Sequence, residues 1–85
     1  MGEAPKKELL EKIKNAASKV KGVKGIRQVK AHYVGTLVQV ALTITVGRNI
    51  SIYCAHDLGT KVEKEVEKLE EVDKAFVHIN PTVKP

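Results

Sequence analysis

Between Leu37 and Val46 every second residue is large and apolar: Val38, Val40, Leu42, Ile44 and Val46 alternate with Gln39, Ala41, Thr43 and Thr45. A period of two places the first set on one face of a β-strand and the second set on the other. Such a strand needs a second layer to cover its apolar face and partners for its edges. Just upstream, beyond the turn Gly35-Thr36, residues 26–34 alternate as well. Val29, Ala31 and Tyr33 share one side, and Gln28, Lys30 and His32 share the other. The two segments therefore predict an antiparallel hairpin.

The covering layer is found on both sides of the hairpin. Residues 6–20 place Leu9, Ile13, Ala16, Ala17 and Val20 on one helical stripe, with Pro5 suited to the first turn. Gly22 and Gly25 then end the helix and release the chain into the hairpin. After the break at Gly47-Arg48-Asn49, Ser51 is a natural N-cap for a helix running to about residue 70. Its stripe is Ala55, Leu58, Val62, Val66 and Leu69; Lys61, Lys64 and Lys68 alternate with Glu63, Glu65 and Glu67 outside, and Gly59 reads as a local weak point. A last strand over 75–80 turns Ala75, Val77 and Ile79 inward and Phe76, His78 and Asn80 outward, and Pro81 stops it. The order α-β-β-α-β implies an α+β two-layer sandwich of truncated ferredoxin-like topology, with two helices on one face of a three-stranded mixed sheet. A right-handed crossover makes the last strand parallel to the second.

Eighty-five residues make one domain. A domain of this size buries only roughly 60–65% of its unfolded surface, so association with a second copy is expected to help it. The lone Cys54 rules out an internal disulfide or a CxxC motif and points to a reducing compartment such as the cytosol. No apolar run reaches membrane-spanning length, so the chain is expected to be soluble, with no span of its own. The net charge of +5 is concentrated at one end: residues 1–34 carry nine Lys/Arg against three acids, residues 35–85 six against seven. A basic N-terminal third suits an anionic neighbour such as the cytoplasmic face of a membrane.

The expected topology also gathers residues that could carry chemistry. The second strand ends where the second helix begins, and the third strand ends at the same edge. His56 and His78 are therefore expected to be neighbours there, close to Cys54, Asp57 and Asn80, with Arg27 at the same edge and His32 about 16 Å away. Two imidazoles with mixed N, S and O donors suit Zn²⁺ or another divalent transition metal. Cys54 sits near a helix N-terminus, which favours a thiolate, but it points about 200° round the helix from His56 and is read as a partly buried thiol. No nucleophile with a base, inward carboxylate pair or glycine-rich phosphate loop is present, so no enzyme is expected. Nucleic-acid binding through stacking is not expected either, because the open sheet face offers only Phe76. Ala41, Thr43 and Phe76 on that face suit a protein contact, as at a dimer interface.

Four segments resemble one family. Val20-Lys21-Gly22-Val23-Lys24-Gly25-Ile26 is similar to a V-x-G-V-x-G-V motif leading into a first strand, and Tyr33-Val34-Gly35 to a Y-V-G hairpin. Ser51 through Ala55-His56 is similar to an S-x-x-x-A-H helix start, and Val77-His78-Ile79-Asn80-Pro81 to a V-x-V-H-x-[DE]-P close. In this order they resemble the cytoplasmic domain of cation diffusion facilitators. The resemblance implies a homodimerising, metal-sensing regulatory domain of a transporter that exports Zn²⁺ or a related divalent cation by proton antiport. Its partners would be a second copy and the transporter's own membrane-embedded domain. Residues 1–5 would then be the link from the last transmembrane helix, 6–81 the domain and 82–85 a tail. His56 and His78 match two of the family's ligand positions. Arg27 and Thr43 stand where histidines often occur, and Asn80 replaces the usual acid, which implies a reduced metal site or none. The alternative is a free-standing ferredoxin-like binding protein, either a metal carrier or a basic nucleic-acid module.

Overall fold

The computed structural model describes residues 7–82. Five elements follow in order: α1 (Lys7–Ser18), β1 (Val23–Val34), β2 (Leu37–Val46), α2 (Ile52–Glu67) and β3 (Val72–Pro81). The sheet order is β1-β2-β3, with β1 antiparallel and β3 parallel to β2. This is the expected truncated ferredoxin-like sandwich. The link expected at 1–5 and all but Thr82 of the tail lie outside the described residues.

Several boundaries differ from the sequence reading, each for a local reason. α1 ends at Ser18 rather than 20, because the chain tightens into turns in which the Val20 N–H donates to Ala17 O and the Val23 N–H to Val20 O. Gly22 alone makes the reversal, at φ 106°, so Gly25 is not a terminator but lies inside β1. β1 starts three residues earlier than expected because two register shifts, between Val23 and Gly25 and between Ile26 and Gln28, let the ladder continue past the glycine. α2 begins as expected, with the Ser51 hydroxyl accepting the Cys54 N–H at 3.0 Å, but it stops at Glu67 instead of 70. β3 starts at Val72 and runs through Pro81 rather than stopping before it. The Thr82 N–H donates to Val46 O at 2.9 Å, so the alternation turns the proline nitrogen toward the free edge, where no donor is needed.

The core lies between β2 and the helices. Val38, Val40, Leu42, Ile44 and Val46 are at most 3% exposed and meet Ile13 and Ala17 of α1 and Val62 and Val66 of α2. Burial of each large side chain is worth about 1.5–3 kcal/mol. Tyr33, expected inward, is half-exposed, because it lies at the hairpin end in a hollow with Glu8, Lys12 and Glu71. Gly59 is not a weak point: α2 runs through it unbroken, and a Cβ there would come within 2.9 Å of Ile79 Cδ1. The missing side chain is what lets α2 rest directly on β3.

Gly59→Val should therefore destabilise the fold by about 1–3 kcal/mol through overpacking, read as a lower denaturant midpoint at unchanged slope. At the other end of the sheet, Glu71 titrates below the usual carboxylate range, because its own backbone N–H and the Lys12 ammonium, 3.0 Å away, hydrogen-bond the ionised form. A depressed folded-state pKa adds stability above the ordinary carboxylate value, and that stability is lost as the pH falls through the depressed one. In Lys12→Gln the Glu71 midpoint, followed by carboxyl-carbon NMR, should rise.

Candidate functional site

Only one face of the sheet carries helices. On the other, the ladder registers side chains into rows: His32–Gln39–Lys74, then Lys30–Ala41–Phe76, then Gln28–Thr43–His78. Neighbouring strands lie about 4.8 Å apart, so members of a row touch or nearly touch. Thr45 and Asn80 form the next row, where the Thr45 hydroxyl donates to Gly25 O at 3.4 Å.

At the edge where β2 and β3 end, these rows enclose an open hollow of about 510 Å³ lined by Arg27, Gln28, Thr43, His78 and Asn80. Arg27 reaches it because of the register shift between Ile26 and Gln28. Ile26 pairs with Ile44 and Gln28 with Thr43, which leaves Arg27 as the extra residue of a bulge that turns it outward beside Gln28. The lining holds one imidazole, one hydroxyl, two carboxamides and a fixed guanidinium. It contains no carboxylate, and no group of three or more His, Cys, Asp or Glu side chains placed to hold a metal ion occurs among the described residues. One imidazole and neutral oxygens beside a permanent cation do not complete a transition-metal site within one copy.

Arg27, Thr43, His78 and Asn80, all singled out from the sequence, thus meet in this hollow, and Gln28, which was not, joins them. The signal for Gln28 was the break in alternation between Ile26 and Val29, three residues apart instead of two. His56 is not in the hollow. It is exposed on α2, one turn before Gly59, and therefore at the same end of the molecule as His78 but in the helical layer. Asp57 is exposed beside it, and Cys54, expected to be partly buried, is also exposed, because it lies off the stripe of α2 that faces the sheet. In the same turn Ile52 is 84% and Tyr53 85% exposed, and Phe76 is 55% exposed beside Ala41. Ile52 and Tyr53 were missed, although both fall outside the stripe that begins at Ala55.

The sequence matches the family described as "Cation efflux protein, cytoplasmic domain" over residues 5–82. It is 40% identical over 79 residues to the uncharacterized transporter MJ0449 of Methanocaldococcus jannaschii, covering 93% of this chain and 28% of that protein. It is 28% identical over 68 residues to the manganese efflux system protein MneS of Bacillus subtilis, covering 80% and 23%. The chain thus spans about a quarter of the length of these curated relatives. Among solved structures, a nickel form of a substituted MamM CTD superposes with TM-score 0.87 at 24% identity, covering 92% of this chain and 100% of that one. No helix among the described residues is long and apolar enough to cross a membrane.

The hollow predicts its own repair. Arg27→His with Asn80→Asp removes one positive charge and adds an imidazole and a carboxylate, and should tighten Zn²⁺ binding by about tenfold or more in calorimetry, since each unit charge at ~4 Å is worth about 1 kcal/mol even in water.

Proposed function

Because this chain belongs to the family of cation efflux protein cytoplasmic domains, we propose that it is the paired regulatory domain of a divalent-cation exporter. It would sit at the cytoplasmic face of the membrane beside the transporter's membrane-embedded part. The observation that carries this reading is the uncovered sheet face, where Phe76 stands exposed between Ala41 and the free edge of β3. An apolar aromatic at the middle of a polar face suits the core of an interface. Ala41, Thr43 and Phe76 are assigned to contact with a second copy. The domain carries no ion across the membrane; it reports the cytosolic concentration of the cation that the membrane part exports in exchange for protons.

His78 and Asn80 supply the ligands of a reduced site on the sheet face, and His56 a further imidazole at the same end of the molecule. Water or side chains of the second copy fill the remaining positions. Imidazole ligands favour Zn²⁺ or a neighbouring first-row ion over Mg²⁺ or Ca²⁺. With Arg27 beside it, such a site binds weakly, so pairing rests chiefly on protein contacts and metal adds to it.

Sedimentation equilibrium with and without Zn²⁺ tests both parts. A dimer at high micromolar concentration, tightened by Zn²⁺ and lost in Phe76→Asp, is expected; a chain that stays monomeric under every condition would remove the proposal. His78→Ala should weaken Zn²⁺ binding without unfolding the domain, because the ring is exposed.

A further inference from the structure

The helical layer carries a second feature, away from the sheet face. Where the C-terminal end of α1 meets the outer side of α2, a groove of about 430 Å³ is edged by Lys19, Lys21, Lys61, Lys64 and Lys68. Val20 lines it as well, and Glu65 is the single carboxylate there. That carboxylate is already engaged: Glu65 Oε2 accepts from Lys68 Nζ at 2.7 Å. It titrates below its usual range because of that bond and, to a lesser degree, the nearby Lys19 charge. Five lysines therefore line the groove with one carboxylate, which Lys68 already holds.

The charges of α2 are partly sorted. Lys61, Lys64 and Lys68 stack at spacings of three and four on the side toward α1. Glu63 and Glu67 lie about 60–100° round the helix from Lys64, on the side toward β3, where Glu67 Oε2 accepts the Ala75 N–H at 3.0 Å. The expected alternation of lysine and glutamate is thus kept only in part on the surface, where Glu65 stays among the lysines. Sorting creates like-charge neighbours, Lys64 with Lys68 and Glu63 with Glu67, that weaken a helix. Solubility alone would be served better by interspersed signs.

We propose that this groove binds a soluble anion bearing two or more phosphate groups, such as an inorganic oligophosphate or a nucleoside di- or triphosphate. Lysine ammoniums donate and cannot accept, so the ligand must bring acceptors, and only a multiply charged one engages several of them at once. The concavity fits a compact ligand better than a flat bilayer. The groove also lies at the opposite end of α1 from Lys7, about 18 Å along the helix axis. This inference does not depend on metal binding or on pairing, since it uses the other layer of the sandwich.

The test is calorimetry of the 85-residue chain with inorganic triphosphate, with backbone amide NMR to locate the contact. One saturable site is expected, with shifts centred on Lys19, Val20, Lys61 and Lys64. The triple variant Lys19→Gln/Lys61→Gln/Lys64→Gln should bind at least about tenfold more weakly, whereas the charge-matched Lys24→Gln/Lys30→Gln/Lys74→Gln should bind like the parent, because short-range contact and not net charge sets the affinity. Absence of binding, equal weakening in both triples, or shifts spread over all lysines would overturn the proposal. So would association with phosphatidylserine vesicles in the absence of any triphosphate binding, which would make the groove a lipid surface. All six lysines are exposed, and unchanged unfolding midpoints would show that neither triple acts through the fold.

Discussion

The side chains of Val38, Val40, Leu42, Ile44 and Val46 leave water almost completely, while the backbone that carries them pairs with β1 along one edge and β3 along the other. A central strand in this position has no freedom to slip. A shift of one residue would turn all five apolar side chains out to solvent and bring Gln39, Thr43 and Thr45 into the core. The helices are held to the same face for the same reason, since only there can Ile13, Val62 and Val66 find apolar partners. The close seat of α2 at Gly59 and the sharp reversal at Gly22 both follow from the shallow depth between that face and the helical layer.

One consequence of covering a single face is a division of labour between the two surfaces. The bare face of the sheet is organised by strand register, so residues distant in sequence stand in rows with fixed spacing. His78, Thr43 and Gln28 meet because hydrogen bonding aligns them, with no need for affinity between their side chains. The helical surface is organised instead by a period of 3.6 residues, which collects Lys61, Lys64 and Lys68 beside Glu65 on one side of α2 and puts Glu67 against β3. The two surfaces face opposite ways, and a ligand on one need not disturb the other except through the shared core.

The open hollow is set against a cation in a physically specific way. Arg27 is held on the open face by a bulge, which fixes a positive charge where an imidazole could otherwise bind a cation. Asn80 retains the shape of an acid but not its charge. Each alone weakens attraction for a metal ion. Together they leave the open face better suited to apolar and polar contact than to ion bridging, with Phe76 exposed there.

Hydrophobic periodicity was enough to determine the element order, the inward face of every strand, the cap at Ser51 and the parallel placement of the last strand, because these depend on local repeat and on the handedness of a crossover. The meeting of Arg27, Thr43, His78 and Asn80 at one edge was legible in part for the same reason. What the sequence could not decide were quantities set between layers. A one-residue bulge brought Arg27 and Gln28 to the same face. The thickness of the sheet put His78 and His56 in different layers although their chain segments end together. Folding a linear pattern specifies which side of an element faces the core; how far one element extends past another, and which outward faces then coincide, is decided only when the layers pack.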